Sequence, residues 1–412
     1  MQANIQLPKE IFKAYDIRGI VGKTLTPAIV ESIGHALGSE AKARTQTEIC
    51  IGYDGRLSSP ELAGALSRGI CKSGIHVVNL GMVATPMVYF AAHYLKTNCG
   101  VMVTGSHNPP DYNGLKMVLA SETLSNDAIQ NLRVRIEQNN LMVGDGLERH
   151  YAIADDYIKA IAADIKLSRP MHIAVDCGNG VAGAFAKTLY NAIGCRVEEL
   201  YCEVDGHFPN HHPDPSVPEN LKDLAQSLLT SHAEIGLAFD GDGDRLGIVT
   251  KQGKIIYPDR QLLLFAQDVL SRNTGATIIF DVKSTRSLSP WIRQHGGNAV
   301  MWKTGHSLVK AKIKETNAAL AGEMSGHIFF NDNDALGKKR WAGFDDGLYA
   351  GARMLEILSR STNPSEISSI RAPAYKPSSN PAQRFLPSAS WSLKNICPLI
   401  SPAKAEIGRA HV

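Results

Sequence analysis

A chain of 412 residues, 44% hydrophobic and 20% charged, has the makeup of a soluble globular protein with room for about two to four domains. Its formal net charge of +3 makes no electrostatic case for nucleic acid or a membrane surface. The first 18 residues lack the apolar core of a signal peptide, and no window approaches the roughly 18 apolar residues of a membrane helix. Seven cysteines without a CxxC pair fit free thiols in a reducing compartment, so a cytoplasmic location is expected.

Along the chain, Phe12-Lys13-Ala14-Tyr15-Asp16-Ile17-Arg18-Gly19 comes first and brings Arg18, whose planar fork suits bidentate phosphate contact. Three segments of common design follow. The first opens with an apolar strand ending on Asp, Ile51-Gly52-Tyr53-Asp54-Gly55-Arg56. A helical stretch over Ser59–Cys71 and a buried strand over 101–103 follow, the strand running into Thr104-Gly105-Ser106-His107. The second repeats this with Ile173-Ala174-Val175-Asp176-Cys177-Gly178, a helical stretch over 182–192, and a strand at Ile235–Phe239 entering Asp240-Gly241-Asp242-Gly243-Asp244-Arg245. The third opens with Ile278-Ile279-Phe280-Asp281-Val282-Lys283. An apolar run over 298–301 enters Trp302-Lys303-Thr304-Gly305-His306-Ser307, and Gly322-Glu323-Met324-Ser325-Gly326-His327 comes after it. Strands alternating with helices predict an α/β protein of three similar βαβ-type domains, with mixed, mostly parallel sheets around a shared cleft. The expected domains are 1–151, 152–252 and 253–368. From about Ile370 the chain is rich in Pro and Ser without periodicity, so 369–412 is expected to be an irregular, disordered tail.

Ser106 lies just past a strand end, where reactive groups of open α/β sheets collect; a polar turn is the plain alternative. The flanks Thr104 and Asn108 do not supply the Gly-x-Ser-x-Gly of a lipase-type nucleophile, so acyl transfer is excluded. Asp240, Asp242 and Asp244 offer three hard oxygen donors on a glycine-loosened turn, suited to Mg²⁺ or Ca²⁺ rather than zinc. An EF-hand is excluded by Arg245 and Lys251, which stand where it needs Gly and Glu. A haloacid-dehalogenase-like phosphatase would place such a loop near the chain start, and a capped acidic turn would leave like charges unbalanced. With a divalent cation the triad keeps a formal −1, so a phosphate joining it needs Arg245 and other cations nearby. A phosphate on Ser106 would add about two negative charges and three acceptors, one of which can complete the cation's shell.

Glu323 and Ser325, two residues apart, match adjacent sugar hydroxyls, although alone the motif is weak. His306 suits proton transfer near neutrality as well as it suits a structural role. Lys116 follows Ser106 by ten residues and can hold phosphate or shuttle a proton. Asp205-Gly206-His207-Phe208-Pro209-Asn210-His211-His212-Pro213-Asp214 reads as a rigid loop rather than a zinc site, given its prolines and the lack of a nearby Cys or Glu.

Four co-linear motifs within about 8–360 resemble those of the α-D-phosphohexomutases, nearest to the bacterial phosphomannomutase/phosphoglucomutase group. They are Ala14-Tyr15-Asp16-Ile17-Arg18-Gly19, Thr104-Gly105-Ser106-His107-Asn108-Pro109, Asp240-Gly241-Asp242-Gly243-Asp244-Arg245 and Gly322-Glu323-Met324-Ser325-Gly326-His327. The resemblance implies a phosphoserine at Ser106 and one Mg²⁺ held by Asp240, Asp242, Asp244 and Ser106. It implies Arg18, His107, Lys116 and His306 as catalytic residues, and Tyr15, Asn108, Arg245, Lys283, Glu323, Ser325 and His327 as substrate-binding ones. The expected reaction moves phosphate between C6 and C1 of a mannose or glucose phosphate through a hexose 1,6-bisphosphate. A phosphoglucosamine mutase and a phosphosugar-binding remnant with little turnover are the alternatives. A monomer acting on a small phosphosugar is expected, with no nucleic-acid or membrane partner. Two departures stand out. The family's fourth domain, with its Arg-Ser-Asn-Thr-type phosphate loop, is not found, and a truncation or frame change at the tail is expected. The stretch 331–339 is longer and more polar than the pattern, either altering access to the cleft or forming a surface insertion without consequence.

Overall fold

A computed structural model describes residues 7–360, which form three α/β domains, each built on its own mixed sheet. The expectations for the tail, including the absent fourth domain, fall on residues outside that range. In the first sheet, Glu48–Tyr53 runs parallel to His76–Met82 and to Gly100–Val103, and Tyr112–Leu119 returns antiparallel beside the latter. The second places Met171–Asp176 between parallel Cys195–Leu200 and Ile235–Phe239, with Leu246–Thr250 returning antiparallel. The third has Thr277–Asp281 between parallel Asn298–Trp302 and Leu320–Gly322, with Ile328–Phe330 returning antiparallel.

One rule therefore positions the site. In every sheet a fully buried parallel strand turns back on itself, and the polar loop at that turn is a functional candidate. Burial on both faces explains why Gly100–Val103, Ile235–Phe239 and Leu320–Gly322 read as continuous apolar runs rather than alternating ones. The sequence anticipates these parallel strands better than the antiparallel returns, of which Tyr112–Leu119 carries Asn113 and Lys116 inside. The helix expected over 182–192 is split into a 3-10 turn at Val181–Ala184 and an α-helix at Ala186–Ala192.

The three sheets are held in fixed relation by one shared core. Helix Thr85–Tyr94 is apolar almost all round and is buried against the other two domains, as such a helix must be. Its Phe90 stacks on Trp341 at 5.8 Å between ring centroids and meets Tyr157 edge-on at 5.5 Å, while Trp341 stacks on Tyr349 at 4.2 Å. Burying each such ring contributes about 1.5–3 kcal/mol, so the junction is a packed interior rather than a hinge. Within 331–339 Asp332 is fully buried while 335–339 are exposed, Leu336 at 93%, and none of these residues lines the cleft that holds Ser106.

Candidate functional site

Ser106 is 2% exposed and adopts a left-handed φ of +49°, a conformation that its loop must enforce. Two buried residues do so. Asp54, just past the end of Glu48–Tyr53, accepts the Thr104 hydroxyl at 2.7 Å and the Gly105 N–H at 3.2 Å. The Arg56 guanidinium donates to four carbonyl oxygens of the loop, those of Ser106, Asn108, Pro109 and Tyr112, at 2.5–3.0 Å. Glycine is required at 105 because a Cβ there would lie 2.3 Å from the guanidinium carbon. Arg18 adds a bond to the Gly105 carbonyl at 2.6 Å.

The Ser106 hydroxyl donates to Asp240 Oδ2 at 3.2 Å and lies 3.3 Å from His107 Nδ1. That approach depends on Gly241, where a Cβ would fall 2.4 Å from the Ser106 carbonyl oxygen. Asp240, Asp242 and Asp244 are fully buried, with ligand atoms within 4.8 Å of one another. Asp240 Oδ1 accepts the N–H groups of Asp244 and Arg245, both at 3.1 Å. Lys116 Nζ bonds Asp242 Oδ2 at 2.7 Å and Asp244 Oδ2 at 2.5 Å, and the Thr85 hydroxyl also donates to Asp242 Oδ2. Asp242 Oδ1 and Asp244 Oδ1 have no hydrogen-bond partner among the described residues. Buried carboxylate oxygens left without donors fit a hard cation, and the all-oxygen donor set can bind one. Burial, followed by Asp242 and Asp244, pushes the Asp240 carboxyl well above its usual range. Burial acts against ionised Asp244 too, but Lys116 and His327 outweigh it and hold that carboxylate well below the usual range. For Lys116 burial is again the largest effect and opposes the charge, yet Asp242 and Asp244 raise its affinity for the proton.

The third domain closes the site with two histidines. His306 opens helix His306–Thr316 and stacks on His327 at 5.6 Å. Burial and then Lys310 keep the His306 imidazole neutral, well below its ordinary value. Its Nδ1 lies 3.5 Å from Asp345 Oδ2, whose partner oxygen accepts Lys310 Nζ at 2.8 Å. His327 Nε2 is 3.3 Å from Asp244 Oδ1, and a backbone bridge pairs Arg245 with His327 across the two domains. Burial and then Arg245 drive the His107 imidazole down to about 3.

A cleft of about 290 Å³ collects Tyr15, Arg18, Ser106, His107, Asn108 and Lys116 from the first domain, Arg245 from the second, and His306 and His327 from the third. The three aspartates lie beneath Ser106 and Lys116 rather than in the lining, and three of the expected substrate-binding residues do not line it either. Lys283 is exposed on the turn after Thr277–Asp281. Glu323 is 2% exposed, its carboxylate accepting the Gly305 N–H at 2.5 Å, and Ser325 Oγ lies 2.7 Å from His327 Nδ1. The Glu–Ser pair is thus arranged around His327. Residues not singled out include Asp54, Arg56, Thr85 and Asp345. The aspartates ending the strands of each unit were the available signal: Asp281 braces the third domain's loops as Asp54 braces the first, accepting Thr304 Oγ1 at 3.1 Å and the Met324 N–H at 3.3 Å. His211, in the loop set aside as a zinc site, is bonded to Asp176 at 3.0 Å.

Fold and site together define a multidomain α/β protein suited to phosphoryl chemistry: a buried hydroxyl faces a carboxylate triad, with arginine and lysine at the rim. Comparison with known proteins makes the class specific. Residues 9–141, 155–253 and 257–375 match the phosphoglucomutase/phosphomannomutase alpha/beta/alpha domains I, II and III. The chain is 60% identical over 363 residues to a phosphoglucomutase of Neisseria meningitidis, covering 88% of this chain and 77% of that one. It is 58% identical over 360 residues to a phosphomannomutase/phosphoglucomutase of Pseudomonas aeruginosa, covering 87% and 76%. A crystal structure of a phosphoglucomutase/phosphomannomutase family protein from Burkholderia thailandensis superposes with a TM-score of 0.85 at 54% identity, covering 89% and 80%. The chain belongs to the phosphoglucomutase/phosphomannomutase family of α-D-phosphohexomutases.

Proposed function

We propose that the protein is a reversible hexose-phosphate mutase, an intramolecular phosphotransferase that moves phosphate between C6 and C1 of mannose or glucose phosphate. The observation that carries this reading is the Ser106 hydroxyl 3.2 Å from Asp240 in a cleft lined by Arg18, Arg245 and Lys116. The Neisseria relative is a phosphoglucomutase and the Pseudomonas relative a phosphomannomutase/phosphoglucomutase, in agreement with it.

In this reading Ser106 carries the phosphate and gives it to a bound hexose phosphate. The resulting 1,6-bisphosphate turns over within the cleft and returns its other phosphate to Ser106. Asp240, Asp242 and Asp244 would hold Mg²⁺, together with a phosphate on Ser106; bound there, the ion withdraws charge from the phosphoryl group. Arg18 and Arg245 offset phosphate charge at the cleft wall. His306, neutral and lining the cleft, takes a proton from the attacking sugar hydroxyl, while protonated Lys116 steadies the triad. His107 and Asn108 flank the serine; Tyr15 and His327 line the sugar side, Glu323 and Ser325 join them on turning from Gly305 and His327 toward the sugar, and Lys283 is an outer contact. A cytoplasmic monomer is the matching proposal, and its reducing compartment is supported by the free cysteines among the described residues, Cys50, Cys71, Cys99, Cys177, Cys195 and Cys202.

The test is phosphopeptide mapping of the purified protein, beside coupled assays with mannose 1-phosphate, glucose 1-phosphate and glucosamine 1-phosphate. Phosphate at Ser106, lost together with turnover in Ser106→Ala, is expected. Full turnover by Ser106→Ala, or phosphate only elsewhere, would sink the reading, and preference for glucosamine would redirect it.

A further inference from the structure

Two thiols that the mutase reading does not use meet behind the cation triad. Cys177 directly follows strand Met171–Asp176, and Cys202 lies two residues past the neighbouring parallel strand Cys195–Leu200. The two strand ends are registered, with Asp176 opposite Leu200 and the Cys177 N–H bonded to the Leu200 carbonyl at 3.2 Å. Their Sγ atoms are 3.4 Å apart. Cys177 is fully buried, whereas Cys202 is partly exposed to solvent. Nothing else in the second domain's chemistry calls for a pair of facing thiols.

We propose that Cys177 and Cys202 form a reversible oxidation site that a peroxide converts to a disulfide, and that the bridge acts on the adjacent cation loop. The order of events follows from exposure. Peroxide oxidises Cys202 to the sulfenic acid, an S–O bond forming as the peroxide O–O bond breaks and one water leaves. The Cys177 sulfur then attacks the Cys202 sulfur, the S–S bond forms, the S–O bond breaks, and the departing oxygen takes up the thiol proton as a second water. Both thiols are oxidised and the peroxide supplies both waters' oxygen. The sulfurs must close by about 1.4 Å to reach a disulfide length of about 2.05 Å.

That closure has somewhere to go. Cys177 starts a tight turn in which the Gly180 N–H bonds the Cys177 carbonyl at 2.7 Å, and the next residue, Val181, donates to the Gly241 carbonyl at 3.2 Å. Gly241 sits between Asp240 and Asp242 and touches the Ser106 loop. Close-packed interiors transmit displacements of this size rather than absorb them. Drawing Cys177 toward Cys202 therefore shifts the segment that spaces the triad.

The experiment treats the full chain with hydrogen peroxide and reads intact mass, disulfide-linked peptides and Mn²⁺ binding by electron paramagnetic resonance. A loss of about 2 Da is expected, located to a Cys177–Cys202 peptide, reversed by dithiothreitol and absent from both Cys202→Ser and Cys177→Ala. Oxidised protein should bind Mn²⁺ at least threefold more weakly than reduced protein. The same mass loss in Cys202→Ser, a link between other cysteines, or a stable sulfinic acid at Cys202 without the link would overturn the site. Unchanged Mn²⁺ affinity in fully linked protein would overturn its action on the loop. The peptide evidence rests on the thiols alone, whereas the Mn²⁺ arm rests on the proposed cation site, so failure of one is distinguishable from failure of the other.

Discussion

Asp345 Oδ2 lies 3.5 Å from His306 Nδ1, and among the described residues neither buried atom has a hydrogen-bond partner. An acceptor without a donor faces a ring nitrogen without a partner, and Lys310 holds the other Asp345 oxygen at 2.8 Å. A small closure would place the proton on Nδ1 and leave Nε2 free in the cleft, the orienting role a carboxylate plays for a basic imidazole. Asp345→Asn should lower kcat roughly tenfold or more with KM nearly unchanged. Steady-state kinetics, with nitrogen NMR of the His306 ring to read its tautomer, checks this. An unaltered kcat would rule it out.

Arg56 has a structural duty toward the serine. Removing its guanidinium strands Asp54 and four loop carbonyls in the interior, and breaking a buried pair of this kind costs about 3–5 kcal/mol. Arg56→Met is expected to show a clearly lowered Tm together with loss of phosphate from Ser106, measured by thermal unfolding and intact mass. Even Lys at this position cannot donate to four carbonyls, so Arg56→Lys should recover only part of the loss.

How much of this was legible beforehand depends on distance along the chain. The triad and the serine loop are contiguous motifs, so their chemistry survives being read as letters. The three sheets were legible because each buried parallel strand is an apolar run that stops at a polar turn. Arg56 and Asp345 were not, because the loop carbonyls that Arg56 holds lie 50 or more residues away and the side-chain partners of Asp345 lie 35 or more away, and only folding brings them together. Glu323 shows what spacing alone leaves out. Its distance from Ser325 suggests a match to adjacent sugar hydroxyls, and folding adds that the buried carboxylate accepts the Gly305 N–H. Lys283 was singled out for its family position, yet the turn after Thr277–Asp281 leaves it in solvent.

Lys116 competes with any cation for Asp242 Oδ2 and Asp244 Oδ2. In Lys116→Met the triad should bind Mg²⁺ about tenfold more tightly, corresponding to about 1.4 kcal/mol, while turnover collapses. The same variant should lose more Tm than the parent when EDTA removes divalent ions, because the buried aspartates then lack both the lysine and the cation. Calorimetric titration with Mg²⁺ decides the first point; weaker binding would contradict it.

Asp346 caps helix Gly347–Leu358 by accepting the Tyr349 N–H, and burial raises its carboxyl from 3.8 to about 7. A raised carboxyl favours the protonated folded state, so its contribution is fully present below about pH 4 and is lost as pH rises through about 7. The whole shift corresponds to at most about 4 kcal/mol. Asn keeps the cap without the charge. Asp346→Asn should therefore gain Tm over the parent as pH rises from about 5 to about 8.5, and a gain independent of pH would refute the assignment.

The backbone bridge between Arg245 and His327 ties the cation loop to the hairpin that carries Glu323 and Ser325. Sequence drift in either loop is consequently felt in the other, and substitutions there should show epistasis instead of independent effects. A charge change within positions 322–327 would need compensation at 240–245 to keep the charge balance around Asp244. Exchange of selectivity between relatives is then a matter of transplanting two loops as a pair, since one grafted alone would arrive without the partner that orders it.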